Sequence, residues 1–254
     1  MSCLLRRTFV FLDKVGPATE RRLWSSGITG WDDFLAAERV PGVGKERKRA
    51  HDRALRRARE ALEKFDGRYL AGLLPTGESW RYFPELGGGA VYLDIETTGL
   101  GRDSPITVVG LYDGRRRTSL IRGRDLSRDS ISRALKDCRL LVTFNGAGFD
   151  LPIIRHQFRG ALPRVPHLDL RYAARRLGLG GGLKKIERKM GLSRDDDIRG
   201  MSGEDAVRLW HVWERDGNRN ALRLLVEYNM ADVVNLRPLA ERICAGLEKK
   251  VTRP

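Results

Sequence analysis

Two carboxylates stand one residue apart in an apolar run, "VYLDIETTGL", from Val91 to Leu100. Along a strand, residues i and i+2 share a face, so Asp94 and Glu96 set two negative charges side by side, and a bound cation is the commonest relief. Two further stretches add to them. "FNGAGFD", Phe144 to Asp150, ends a strand-like run; its glycines allow a tight turn, and Asp150 falls in the first turn of a helix. "YNMAD", Tyr228 to Asp232, lies inside a long helical pattern. Helical positions i and i+4 differ by only about 40°, so Tyr228 and Asp232 project from one face. Each stretch alone has a plain alternative: a polar edge strand for Asp94 and Glu96, a helix N-cap for Asp150, an exposed stripe for Tyr228 and Asp232. Jointly, converging carboxylates of this kind suit hard divalent ions, Mg2+ or Mn2+. Two such ions, about 3.5–4 Å apart, serve phosphodiester hydrolysis. A tyrosine hydroxyl beside the last carboxylate suits orientation of an attacking water.

The elements that must carry these residues are legible in outline. "AVYLDIE", "PITVVGLY" and "RTSLIRG" read as successive strands, "SRDSISRALKDC" as an amphipathic helix and "RLLVTF" as a buried strand. From Asn145 onward the chain reads as mostly helical. This order predicts an α/β domain with a mixed sheet flanked by helices, over 90–254. Before it, to about residue 75, short helices and Gly-rich turns predict a small all-α domain, and the Pro- and Gly-containing stretch 76–89 reads as a linker.

"DIETTG", "NGAGFD" and "YNMAD" stand in the order of the three exonuclease motifs of the DEDD superfamily of 3′–5′ exonucleases. With Tyr228 four residues before Asp232, the chain resembles the tyrosine subgroup (DEDDy), and the H-x-D-L at His167 to Leu170 is similar to the YprB-type ribonuclease-H-like domain. The resemblance implies a ribonuclease-H-like fold over about Ala90 to Leu247. It implies Asp94, Glu96, Asp150 and Asp232 as ligands of two divalent metal ions, with Tyr228 positioning the nucleophilic water. It further implies that Thr97 and Leu100 lie near the terminal nucleotide and that Asn145 is structural or touches substrate.

Other residues compete for these roles. His211, five residues before Asp216, matches the spacing of the histidine subgroup, yet five helical residues leave the two about 140° apart. His167 and Asp169 invite a catalytic reading, but Pro163 and Pro166 just before them favour a loop entering a helix, with Asp169 as a cap or a prop behind a ligand. Asp195, Asp196 and Asp197 are consecutive and cannot all face one point; a solvated loop is expected. Trp210 and Trp213 read as core.

The 254-residue chain has 48 Lys and Arg against 33 Asp and Glu, a net charge of +15, which favours a polyanionic partner or a solvated basic surface. "LDKVGPATERRLWSSGI" and "VPGVGKERKRAH" resemble helix-hairpin-helix units, the first with Lys14 where a glycine is usual. Turn amides at a helix start, with Lys45, Arg47, Lys48 and Arg49, suit phosphate binding. The helix "GLKKIERKM" offers Lys184, Lys185, Arg188 and Lys189 as a further contact or as plain surface. Three scattered cysteines form neither a disulfide framework nor a zinc pattern, and no apolar run is long enough for a membrane span. A soluble protein of the reducing cytoplasm is expected, acting as a 3′–5′ exonuclease on DNA or RNA. Two other functions fit the same residues: a nucleic-acid-binding scaffold on a catalytically weak nuclease fold, and a structure-directed endonuclease.

Overall fold

In the computed structural model, residues 4–99, 101, 103–194 and 197–252 are described. Two turns of one backbone shape organise the N-terminal part. Val15 N–H donates to Leu12 O and Val43 N–H to Val40 O, each at 3.0 Å. The third residue of each turn has positive φ, +59° at Lys14 and +75° at Gly42, as a type II turn requires. Lys14 thus stands in the place of a glycine and adopts a glycine's backbone. After α1 (Leu4–Arg7), the first turn feeds α2 (Pro17–Ser25). The second turn joins α3 (Trp31–Ala36) to the long α4 (Lys45–Glu63). On α4 the buried positions Lys48, His51, Leu55, Ala58 and Leu62 form one stripe, three and four residues apart as a helix requires. A short α5 (Gly67–Ala71) follows.

The stretch expected as a linker is helical and packed. Thr76–Tyr82 winds as a 3₁₀ helix, followed by α6 (Phe83–Leu86), and Trp80, Arg81 and Tyr82 are buried. Arg81 donates to Thr8 Oγ1 at 2.8 Å and pairs with Glu20 Oε2 at 2.9 Å and Glu78 Oε2 at 2.6 Å. Glu78 in turn pairs with Arg176 at 2.6 Å. Glycine and proline content signals an irregular segment, but a buried cation and its carboxylates order it.

The sheet has order β3-β2-β1-β4-β5, built from β1 (Ala90–Thr97), β2 (Ile106–Tyr112), β3 (Arg117–Ile121), β4 (Leu140–Thr143) and β5 (His167–Asp169). β1 pairs antiparallel with β2 and parallel with β4. Alternation along β1 divides it cleanly. Val91, Leu93 and Ile95 face a core shared with Ile131 of α7 (Arg128–Ala134) and with Leu151 and Ile154 of α8 (Asp150–Gln157). Ala90 and Tyr92 join the other core, whose members run from Leu4, Phe9 and Trp31 in the N-terminal helices to Val233, Leu236 and Ile243. The residues of β5, expected as loop, pair instead with Leu141, Val142 and Thr143 of β4 and lead into α9 (Leu170–Arg176). Three residues carry no periodicity, so only the neighbouring strand reveals them.

Beyond α9 come α10 (Leu183–Lys189), α11 (Gly203–Asp216) and α12 (Arg219–Thr252). α12 is 34 residues long and continues through Pro238. Its buried stripe is polar at Tyr228, Asn229 and Asp232 and apolar from Val233 to Leu247. That change falls where the helix passes the carboxylate-bearing end of β1. This is the ribonuclease-H-like α/β arrangement, preceded by a helical region.

Candidate active site

Asp94 and Glu96 share the face of β1 opposite Leu93 and Ile95, and α12 brings Asp232 to them. One oxygen from each of these three carboxylates lies within 4.8 Å of the others. Glu96 and Asp232 are buried, at 8% and 7% exposure. Asp150 stands behind this trio at the first residue of α8, where its Oδ1 accepts the Ile95 N–H at 3.0 Å. Burial drives the Asp94 and Glu96 carboxyls far above their ordinary range, and their acidic neighbours, Asp150 and Asp232 above all, push the same way. Burial lifts Asp150 to about 7. It lifts Asp232 to about 6, against the Arg194 guanidinium, which pulls it down. A site that so resists holding its own negative charge is one that a cation stabilises.

Tyr228 is 4% exposed, and its hydroxyl accepts a hydrogen bond from Lys184 Nζ at 2.8 Å; the ammonium also lies 4.4 Å from the ring centroid. Burial first, and then Asp232, Glu96 and Asp94, keep the phenol firmly protonated. Burial lowers the Lys184 ammonium, while Asp232 opposes that shift. Of the four basic residues on α10, Lys184 turns inward, whereas Lys185, Arg188 and Lys189 are exposed.

Several neighbours escaped the sequence reading. Asn229 is fully buried and its Nδ2 donates to Asp94 Oδ2 at 2.9 Å. It sits three residues before Asp232, a spacing that shares a helix face and was available as a signal. Gly110 of β2 pairs with Asp94, and a Cβ there would lie 2.2 Å from Asn229 Oδ1. A glycine inside an otherwise apolar strand marks such a close approach. Arg194 and Glu187 gave no local signal. Arg194 forms an ion pair with Asp232 Oδ1 and donates from Nε to Glu187 Oε2 at 2.8 Å.

The loop before Asp150 is held by Asp169, which accepts the N–H groups of Asn145 at 2.8 Å and Ala147 at 3.0 Å, and also caps α9 through Arg171 N–H. Asp169 is therefore both cap and prop. Asn145 adopts φ +67° and its side-chain oxygen accepts from Arg171. His167 bonds Thr143 Oγ1 at 2.9 Å, and burial lowers it to about 4, against Asp169. Thr97 turns its hydroxyl to Gly99 O just past a register shift at the end of β1. Leu100, Asp195 and Asp196 lie outside the described residues, and Asp197 is exposed.

His211 and Asp216 do not join the cluster. Both are exposed on α11, facing Glu214 and Arg215 respectively. Trp210 of that helix packs with Tyr228 in a third core. Lys45, Arg47 and Arg49 are exposed at the start of α4. Lys48, expected among the phosphate contacts, instead turns inward, bonding Asp52 at 2.8 Å over the Phe34 ring. Its i, i+4 carboxylate and the aromatic below outcompete solvent.

With this geometry in view, the RNase_H superfamily profile matches residues 91–244, and the chain belongs to that superfamily. A search of the curated proteins gave no match. Among solved structures, the chain is similar to Escherichia coli RNase D, described as an exoribonuclease involved in structured RNA processing. The likeness has 18% identity and a TM-score of 0.47 over 68% of this chain and 43% of that one, so the chain spans less than half of that protein. Among the described residues, no helix is long and apolar enough to cross a membrane.

The residues fit a divalent metal. The donors are carboxylate oxygens, hard ligands of the kind Mg2+ and Mn2+ prefer. Three of them converge within 4.8 Å, Glu96 and Asp232 are buried, and the Arg194 guanidinium on Asp232 shows that this end of the cluster takes a positive charge.

Proposed function

We propose that the chain is a metal-dependent nuclease that hydrolyses phosphodiester bonds of DNA or RNA from a free 3′ end. The observation that carries this reading is the meeting of Asp94, Glu96 and Asp232 within 4.8 Å, although 135 residues separate Asn229 on α12 from its partner Asp94 on β1. Asp94, Glu96, Asp150 and Asp232 would hold two Mg2+ or Mn2+ ions, which supply Lewis acidity and an activated water to the reaction. Tyr228 would orient that water through its protonated hydroxyl. Lys184, by donating to the phenol oxygen, fixes one of its acceptor directions and leaves the O–H to donate.

Residues 1–75 would serve as the nucleic-acid-binding part and 90–254 as the catalytic part. α2 and α4 both start at glycines without a side-chain cap, so backbone N–H groups beside exposed Lys45, Arg47 and Arg49 are open to phosphates. Thr97, Leu100 and Asn145 would lie along the path of the terminal nucleotide. A cytoplasmic location agrees with Cys138 and Cys244, both buried and free.

The test uses 5′-labelled linear oligonucleotides of DNA and RNA with free or blocked 3′ ends, together with a circular single strand, in Mn2+ or EDTA. Stepwise shortening of the free-ended strands in Mn2+ alone is expected. Cleavage of the circle would overturn the 3′-end assignment, and no cleavage of any strand would overturn the nuclease reading.

A further inference from the structure

Asp232 already has a cation beside it. Arg194, in the loop after α10, is 9% exposed and anchored through Nε to Glu187 Oε2 at 2.8 Å. Glu187 is itself fixed from the other side, since Asn235 Nδ2 of α12 donates to its Oε1 at 3.0 Å. Held in this way, the guanidinium lies in ion contact with Asp232 Oδ1. Arg194 thus bridges two carboxylates, meeting Glu187 through Nε and Nη2 and Asp232 through Nη2. The positive charge it places at Asp232 is what a divalent ion would also supply. A guanidinium does not titrate near neutral pH, so this occupant can leave only by moving.

We propose that Arg194 is an intramolecular competitor for the metal position at Asp232: it closes on the carboxylate in the metal-free protein and withdraws onto Glu187 as a divalent ion loads. Glu187 and Asn235 hold the displaced guanidinium, so these three residues set how tightly the site takes metal. Glu187 can serve in this way because its carboxylate is 2% exposed and already pairs with Arg194 at 2.7 Å. The proposal rests on the reading of Asp94, Glu96 and Asp232 as metal ligands. It makes Arg194 a residue that tunes affinity and gives it no contact with substrate.

Mn2+ binding to wild type and Arg194→Gln, followed by the electron paramagnetic resonance of the free ion, tests it. Removing the competitor should tighten Mn2+ binding by at least about tenfold, or about 1.4 kcal/mol, while lowering the melting temperature in EDTA. Equal or weaker binding by Arg194→Gln overturns the proposal. If that variant does not fold, hydrogen exchange on wild type decides: peptides covering Arg194 should exchange faster with Mn2+ than with EDTA. Metal loading otherwise slows exchange around a site, so unchanged or slower exchange overturns the proposal. Wild type that shows no saturable Mn2+ binding removes the metal-site reading together with the proposal, so the two failures are told apart.

Discussion

Asn229 donates a hydrogen bond to Asp94 at 2.9 Å across the space left by Gly110. One helix thus fixes the first carboxylate through Asn229 and presents the last as Asp232, three residues on. Gly110→Ala would set a methyl 2.2 Å from Asn229 Oδ1 and 2.8 Å from Val233 Cγ2. Overpacking of this kind costs roughly 1–3 kcal/mol, read as a lower urea midpoint. It should also weaken Mn2+ binding, because Asn229 must move off Asp94. A midpoint and affinity equal to wild type would show that Asn229 does not position Asp94.

The pH dependence of stability without metal has a definite sign. Asp150 at about 7 and Asp232 at about 6 titrate above their unfolded values, as do Asp94 and Glu96. A group whose folded pKa is raised contributes stability below its unfolded pKa and loses it as pH rises through the folded one. His167, lowered to about 4, and His51, lowered chiefly by burial, act oppositely and lose stability as pH falls, but they are two groups against four. In EDTA the melting temperature should therefore fall from pH 5 to pH 8, and saturating Mn2+ should cancel or reverse the fall. A flat or rising profile in EDTA would contradict the assigned shifts.

Tyr228 and Lys184 should behave as a unit. Tyr228→Phe should cut turnover by about 10²-fold, in the range of a positioned proton-transfer group, with little change in KM. Lys184→Met should cut it less, and the double variant should be no worse than Tyr228→Phe, since Lys184 acts through the phenol. Fully additive losses would assign Lys184 a role independent of Tyr228.

The basic hairpin is better tested by point changes than by truncation. Removing the N-terminal helices would take Glu20 and Thr8 from Arg81 and strip Leu4, Phe9 and Trp31 from the core they share with α12. Changing Lys45, Arg47 and Arg49 together to Gln should weaken oligonucleotide binding. It should also flatten the slope of log affinity against log salt by about 0.7–0.9 for each phosphate no longer neutralised. An unchanged slope would remove this surface from the interface.

What the sequence disclosed follows the reach of its periodicities. The alternation of β1 located Asp94 and Glu96, and the helical spacing of α12 located Tyr228 and Asp232, because both rules act within a few residues. The positive-φ turn at Lys14 was visible through its likeness to the glycine turn at Gly42. Arg194 and Glu187 were not legible, since Arg194 reaches Asp232, and Glu187 holds Arg194, only once the segment after α10 folds back against α12. Nor was the packing of 76–89, where Arg81 finds Glu20 some 60 residues earlier. Lys48 shows the converse limit: a basic residue in a basic run, turned inward by Asp52 and Phe34.

The most direct test of the carboxylate centre is hydrolysis of a 5′-labelled oligonucleotide with a free 3′ end by wild type and Asp232→Asn in Mn2+. Circular dichroism confirms that both are folded. The account predicts stepwise shortening by wild type and a loss of at least about 10³-fold in the variant, since removal of a metal ligand deprives the reaction of its Lewis acid. Cleavage by Asp232→Asn at the wild-type rate would contradict it.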